Sequence, residues 1–402
     1  MRHLAWLLVA GLACGGAQAV DVTARVSLLG TAAHPSQGDA GYDSGYNPPT
    51  ADQQSGRLML DDFSDSAEWS AHGIVGRQHY RGFAVPGLQS SDLFRYRPLA
   101  GAQVSSDGLY DTTVLAWEVD RAYYEWRFDR ASVSLGRQPI DWGVGRFWQP
   151  LNVFGAFAPT ALDTDFKPGI DAAVLSWYPS AFSSLAGVFS PGPADDASIP
   201  SSAAVHYSTR VGETSQLTIV GGRVIGNDQF GGALEGDWKG LGWRVEGLYT
   251  KWHDTGDRSL FWIAGVDYRL DDGTLLTLEV YDNSAGATRE DQLPSTVLPL
   301  RFRYGLQQQM SRHLLGFGLQ KELTPLLSLN YMLLGAMLKN DQGQREVSLL
   351  NQLNLIYSLA NESDLLLSLA VGSGKGLTAA GQPQSEFGQL PPTVTLRWRY
   401  YF

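Results

Sequence analysis

The sequence predicts an all-β chain, a closed membrane-spanning antiparallel barrel of about 18 strands, with 16 as the alternative. Three observations predict it. Apolar and polar residues alternate with period two over segments of ~10 residues or more, the length a tilted spanning strand needs. Short turns alternate along the chain with long, polar, Gly/Pro/Ser-rich stretches. Aromatic residues recur near strand ends, where interfacial girdles sit.

Composition narrows the field first. The 402 residues carry 30 Lys+Arg and 41 Asp+Glu, a net charge of -11, with 44% apolar and 18% charged residues. That is too apolar for disorder, and the acidic balance argues against nucleic acid as a partner. A single Cys supports neither a disulfide framework nor a cysteine metal cluster. The His residues show no metal-ligand spacing, so no metal and no cofactor is expected. Acidic clusters at Asp61-Asp62 and Asp195-Asp196, and the set His253, Asp254 and Asp257, read as solvated loops or turns, with cation bridging to lipopolysaccharide as the rival.

The N-terminus reads as a targeting signal over residues 1–19. Arg2 and His3 precede an apolar run from Leu4 to Ala13, and Ala17-Gln18-Ala19 fits a small-x-small cleavage site. Cleavage there removes Arg2 and leaves a mature charge of -12. A lipoprotein reading with Cys14 as the lipidated residue lacks the usual upstream Leu. Residues 20–402 then form one barrel domain.

The strands follow in order. They are predicted near 20–30, 54–62, 67–81, 110–128, 131–143, 168–177, 183–190, 202–211, 215–226, 230–238, 241–252, 259–270, 274–283, 311–321, 326–339, 345–359, 364–373 and 392–402. In 241–249, Leu241, Trp243, Val245 and Tyr249 share one face and Arg244 and Glu246 the other. Leu276, Leu278 and Val280 alternate with Thr277, Glu279 and Tyr281. Segments 54–62 and 183–190 are the weakest, and Leu298–Leu306 is a possible extra strand. Long connections are expected at 31–53, 82–108, 144–167, 191–201, 284–310 and 374–391. Eight short turns are what an 18-strand barrel needs if both termini face the periplasm, so both termini are expected at that end. Closure is a physical requirement, because an open strand edge in hydrocarbon leaves backbone groups unpaired. Too little chain precedes the second strand to form a plug domain.

The last ten residues carry the most specific pattern. Val394, Leu396, Trp398, Tyr400 and Phe402 share one face, and Thr395, Arg397, Arg399 and Tyr401 the other. This resembles the terminal strand of Gram-negative outer-membrane barrels. The resemblance implies the cell outer membrane as location, membrane lipid and lipopolysaccharide as surroundings, and recognition of those five apolar residues by the barrel-assembly machinery. A second pattern spans 121–171: Gly136-Arg137-Gln138, Trp142-Gly143 and Pro150 resemble the GRQ…WG…P stretch of porin-like outer-membrane barrels, with a looser likeness to alginate-export-type porins. It implies a channel and fixes no substrate.

On its own terms, 121–128 puts Arg121, Tyr123, Glu125 and Arg127 on the lumen face. Strict alternation after Val133 and Leu135 would carry Arg137 into lipid, at a cost of ~2–4 kcal/mol. A β-bulge near Gly136 that turns it inward is therefore expected. The stretch Arg146 to Lys167 is long enough to fold into the pore. Arg137, Arg146, Asp163, Asp165, Lys167 and Asp171, with Arg121, Glu125 and Arg127, form the candidate constriction. A salt-bridged network that only pins the loop to the wall is the alternative for the same residues. Gly143-Val144-Gly145 is not a dinucleotide loop, because no βαβ pattern surrounds it.

The leading function is a non-enzymatic channel for passive diffusion of small polar solutes, with lumen charges of both signs at Arg244, Glu246, Asp267, Arg269, Glu279, Glu235, Asp237, Arg397 and Arg399. The acidic total suggests mild cation preference. A structural or adhesive barrel with a plugged lumen, one subunit of an envelope complex or a homo-oligomer, is the alternative. An outer-membrane lipase is a third, with His206 and Ser208 as the nearest pair and no orienting partner in the sequence.

Overall fold

A computed structural model describes residues 20–83, 90–108 and 110–402; the expected targeting signal lies outside the described residues. The strands are β1 (Asp21–Ala33), β2 (Thr50–Phe63), β3 (Ala67–Arg81), β4 (Ala100–Ser106), β5 (Asp111–Arg127), β6 (Ala131–Gln138), β7 (Ile170–Ser180), β8 (Ser183–Ser190), β9 (Ser202–Val211) and β10 (Ser215–Val224). They continue as β11 (Asn227–Trp238), β12 (Leu241–Lys251), β13 (Arg258–Arg269), β14 (Leu275–Asn283), β15 (His313–Thr324), β16 (Leu327–Lys339), β17 (Arg345–Ala360), β18 (Ser363–Ser373) and β19 (Thr393–Tyr401). Each pairs antiparallel with its neighbour, β3 pairs with β5, and β19 returns to β1. Without β4 the ring is a closed barrel of 18 strands. No helix among the described residues is long and apolar enough to cross a membrane.

Every predicted strand is present, including the two weak ones. The segment 298–306 is not a strand: it holds the short helix Leu300–Arg303 flanked by turns. The alternation sets the register of the wall. Leu115, Trp117, Leu175, Val245, Leu278, Val394 and Leu396 are exposed on the outside, whereas Ser132, Thr218, Arg244, Glu246, Glu279, Arg397 and Arg399 are buried inside. Short connections close one end of the barrel, at 64–66, 128–130, 181–182, 212–214, 239–240, 270–274, 325–326 and 361–362. The first described residue, Val20, and Phe402 lie there too, with Arg25 opposite Tyr401. The long loops 34–49, 82–110, 139–169, 191–201, 284–312 and 374–392 gather at the other end, with three tighter connections among them.

Two departures centre on β5 and β6. First, the expected bulge is not on β6, whose ladders with β5 and β7 run without a register shift. The shift is one strand over: His72 pairs with Arg121 but Gly73 pairs with Val119, leaving Asp120 as the extra residue. A bulge there lets the consecutive residues Asp120 and Arg121 both face the bore while the outward phase passes from Leu115, Trp117 and Val119 to Ala122, Tyr124 and Trp126. Gly136 has φ +123°, and a Cβ there would lie 2.2 Å from the Ala122 carbonyl oxygen, so no other residue fits. Second, β6 stops at Gln138, well short of the loop end of β5. The short strand β4 takes the vacated edge, pairing Ala100 with Glu118 through Ser106 with Thr112.

Candidate functional site

The loop 139–169 leaves β6 and folds into the bore. Two glutamates on the far wall hold it. Glu246 on β12 accepts the backbone N–H groups of Val144 (2.8 Å), Gly145 (3.0 Å) and Leu151 (2.5 Å). Glu279 on β14 accepts those of Arg146, Phe147 and Trp148, each at 3.0 Å. Both carboxylates are fully buried. Three N–H donors each replace the water they have lost, which is what a buried carboxylate requires. The tight turn depends on Gly145, where a Cβ would lie 1.7 Å from the Trp148 carbonyl oxygen. The Gly143-Val144-Gly145 stretch therefore does cradle an anion, the protein's own Glu246.

Apolar packing completes the anchorage. Leu151, Val153 and Phe154 pack against Val188, Val220, Ala233 and Leu248 of the wall, and Leu93 and Phe94 join them from loop 82–110. Trp148 packs against Ile263, Tyr281, Leu314, Leu334 and Leu350. The half of the bore facing β8–β17 is thus filled largely by apolar side chains.

The opposite half is different. Arg25 on β1, Arg57 on β2, Arg121 on β5 and Arg397 and Arg399 on β19 form a basic wall. The returning limb of the loop meets it. Asp163 pairs with Arg25 (2.8 Å), and Asp165 pairs with Arg25 (2.9 Å) and Arg399 (2.5 Å) and accepts the Tyr401 hydroxyl (2.5 Å). Arg397 donates to the Leu162 carbonyl. Burial raises the Asp165 carboxyl, but Tyr401 and Arg399 outweigh it and hold the group below its usual range. Phe166 presents its ring to three guanidinium groups, Arg57 at 4.3 Å, Arg25 at 4.9 Å and Arg121 at 5.7 Å, a cation–π arrangement that fixes their spread. Arg57 also pairs with Asp120 (2.7 Å), which accepts Arg95 as well. Arg25, Arg57, Asp163, Phe166 and Lys167, with loop residues 154–158, line a cavity of about 540 Å³.

The predicted site residues therefore separate into groups. Asp163, Asp165 and Arg121 meet at the basic wall. Lys167 binds Asp141 (3.1 Å) and Asn152 (2.5 Å), tying the two limbs of the loop together; burial pushes its ammonium down to about 8 against the pull of Asp141. Arg146 reaches Asp267 on the far wall (3.2 Å), which Arg244 also binds. Arg137 and Asp171 face each other across β6 and β7 in a two-pronged pair (2.8 and 3.0 Å), and Arg137 also donates to the carbonyls of Val119 and Arg97. Glu125 and Arg127 sit with Glu68 and Tyr123 near the short-turn end. Arg25, Arg57, Asp120 and Phe166 were not singled out by the sequence. The phase change along 115–126 is the signal that would have found Asp120. His206 stacks on Trp142 (5.1 Å), and Ser208 Oγ accepts from Gln216 (2.7 Å).

The fold is that of known porin structures. It is similar to OccAB4 of Acinetobacter baumannii, with TM-score 0.60 and 10% identity over 95% of this chain and 98% of that one. It is similar to OccK7 (OpdD) of Pseudomonas aeruginosa, with TM-score 0.59 and 9% identity over 96% and 99%. A BenF-like porin from Pseudomonas fluorescens Pf-5 gives TM-score 0.58 and 10% identity over 96% and 100%. No protein family and no curated protein matches the chain in sequence. Identities this low carry the architecture only; function must come from the site.

Proposed function

We propose that the protein is an outer-membrane channel for passive diffusion of small polar solutes, and that solutes bearing an anionic group pass preferentially. One observation carries this reading: the loop fills the β8–β17 half of the bore and leaves the cavity bounded by Arg25 and Arg57. A lumen narrowed on one side by apolar packing and lined on the other by guanidinium groups offers donors to a carboxylate or phosphate. The local lining, not the chain total of -11, governs selectivity, so the sign is opposite to the cation preference that net charge suggests. Seven of the nine constriction residues predicted from sequence act in two ways on this reading, while Glu125 and Arg127 pair with each other away from the cavity. Asp163, Asp165, Lys167 and Arg121 border the path, and Arg137, Arg146 and Asp171 hold the wall and loop in place. The outward row Val394, Leu396, Trp398, Tyr400 and Phe402 serves as the assembly signal, after export directed by residues 1–19.

The test is planar-bilayer recording with the purified full chain in asymmetric KCl. A reversal potential of the sign for anion preference, lost in R57Q, supports the proposal. Cation preference overturns its charge assignment, and absence of conductance overturns the channel itself. The apolar packing around Trp148 and Leu151 favours the second reading, a plugged barrel with a structural role, and the silent bilayer is its expected result.

A further inference from the structure

The outer wall over β13–β17 is not uniform. Outward-facing Trp262, Val280, Leu315, Leu333, Val347 and Leu349 surround Gly335, and together they form an apolar furrow of about 400 Å³. Gly335 is its floor. A Cβ there would lie 3.3 Å from Leu349 Cδ2 and 4.0 Å from the Leu315 carbonyl oxygen, so any larger side chain fills the furrow. Met337 and Val347 are direct cross-strand partners, and the next outward pair toward the loop end is Lys339 with Arg345. Two like charges directly opposite each other destabilise a sheet unless an anion lies between them.

No protein group supplies that anion. Lys339 and Arg345 are exposed and make no salt bridge among the described residues. Their acidic neighbours are engaged elsewhere. Asp282 is held by Arg312 (3.1 Å) and His313 (2.8 Å), Asp291 by Arg289 (3.0 Å), and Glu346 by Lys375 (2.7 Å). Asp341, at the tip of the same hairpin, pairs with neither cation.

We infer that this face is a binding site for a phosphorylated lipid, an acyl chain lying in the Gly335 furrow and a phosphate held between Lys339 and Arg345. The argument is complementarity along one line: apolar furrow, then paired cations, in the order of tail and headgroup of an anionic amphiphile. Its source is the bilayer leaflet at the loop end, which in an outer membrane is the glycolipid leaflet. The inference rests on the membrane reading above and is independent of whether the bore conducts.

Native mass spectrometry of the detergent-purified full chain with added diphosphorylated lipid A tests it. Retention of the lipid is expected for the parent protein, falling at least tenfold in K339Q/R345Q and, by a separate route, in G335L. The K321Q variant, altered at the short-turn end, is expected to retain it fully. Heat-modifiable migration on gels reports that each variant is a folded barrel, and if one fails to fold the other still decides. Equal retention in both folded variants overturns the site. Equal retention of dephosphorylated lipid overturns the phosphate clamp, and displacement by inorganic phosphate alone overturns the role of the furrow.

Discussion

Glu279 illustrates what one buried residue does here. Its carboxylate caps three consecutive loop N–H groups and neighbours Arg244 at 3.6 Å. E279A strands those donors, at about 1–3 kcal/mol for each one that water does not reach. The expected outcome is a lower melting temperature in detergent and larger, noisier single-channel currents as the loop loosens. Unchanged currents with a lowered melting temperature would mean the loop stays docked through its apolar contacts alone. Lys167 makes a second prediction. Its folded value of about 8 lies below its ordinary 10.5. Between those values the unfolded chain binds more protons, so this group makes stability rise with pH across that window. Over the same rise the loop loses a positive charge. Anion preference is expected to fall between pH 7 and 9 in the parent and to stay flat in K167Q, read from reversal potentials.

Among the elements, β19 and the loop 139–169 stand at opposite extremes of legibility. In β19 every side chain obeys the period-two rule, because lipid on one face and a polar interior on the other act on each residue independently. Leu396 points outward and Thr395 inward. L396R is expected to lose about 2–4 kcal/mol of folding free energy in urea titrations from lipid vesicles, and T395R much less; equal losses would contradict the assigned faces. The loop obeys no local rule. Its anchors lie 95 to 133 residues away in sequence, so Glu246 and Glu279 were readable as lumen-facing acids but not as its supports. The missed strand β4 is short and exposed, with nothing in Ala100–Ser106 that alternates. The misplaced bulge had a readable cause: apolar positions run odd through Val119 and even from Ala122. Arg137 needs no bulge on its own strand, because Asp171 and the carbonyls of Val119 and Arg97 bury it.

At the scale of the whole molecule, the barrel wall and its filling are separable. The wall needs only its hydrogen-bond ring and apolar exterior; the bore's cross-section is set by the loop. Replacing residues 141–168 with a short Gly/Ser linker is expected to leave a folded, heat-modifiable barrel whose conductance rises several-fold. A barrel that no longer folds would instead make the loop part of the wall's own stability. This division explains why strand number and the facing of side chains could be read from sequence while pore shape could not. The first depends on periodicity along the chain, the second on which distant side chains meet.

The placement of the two wall glutamates also fixes a chronology. Their strands, β12 and β14, lie far downstream of the loop they hold, so during synthesis and transit Val144 through Leu151 have nothing to grip. Those N–H groups gain their carboxylate acceptors only once β12 and β14 stand opposite the loop. The seating of the loop is therefore tied to the downstream half of the chain, and a molecule lacking β12 to β14 would lack both carboxylates that hold it.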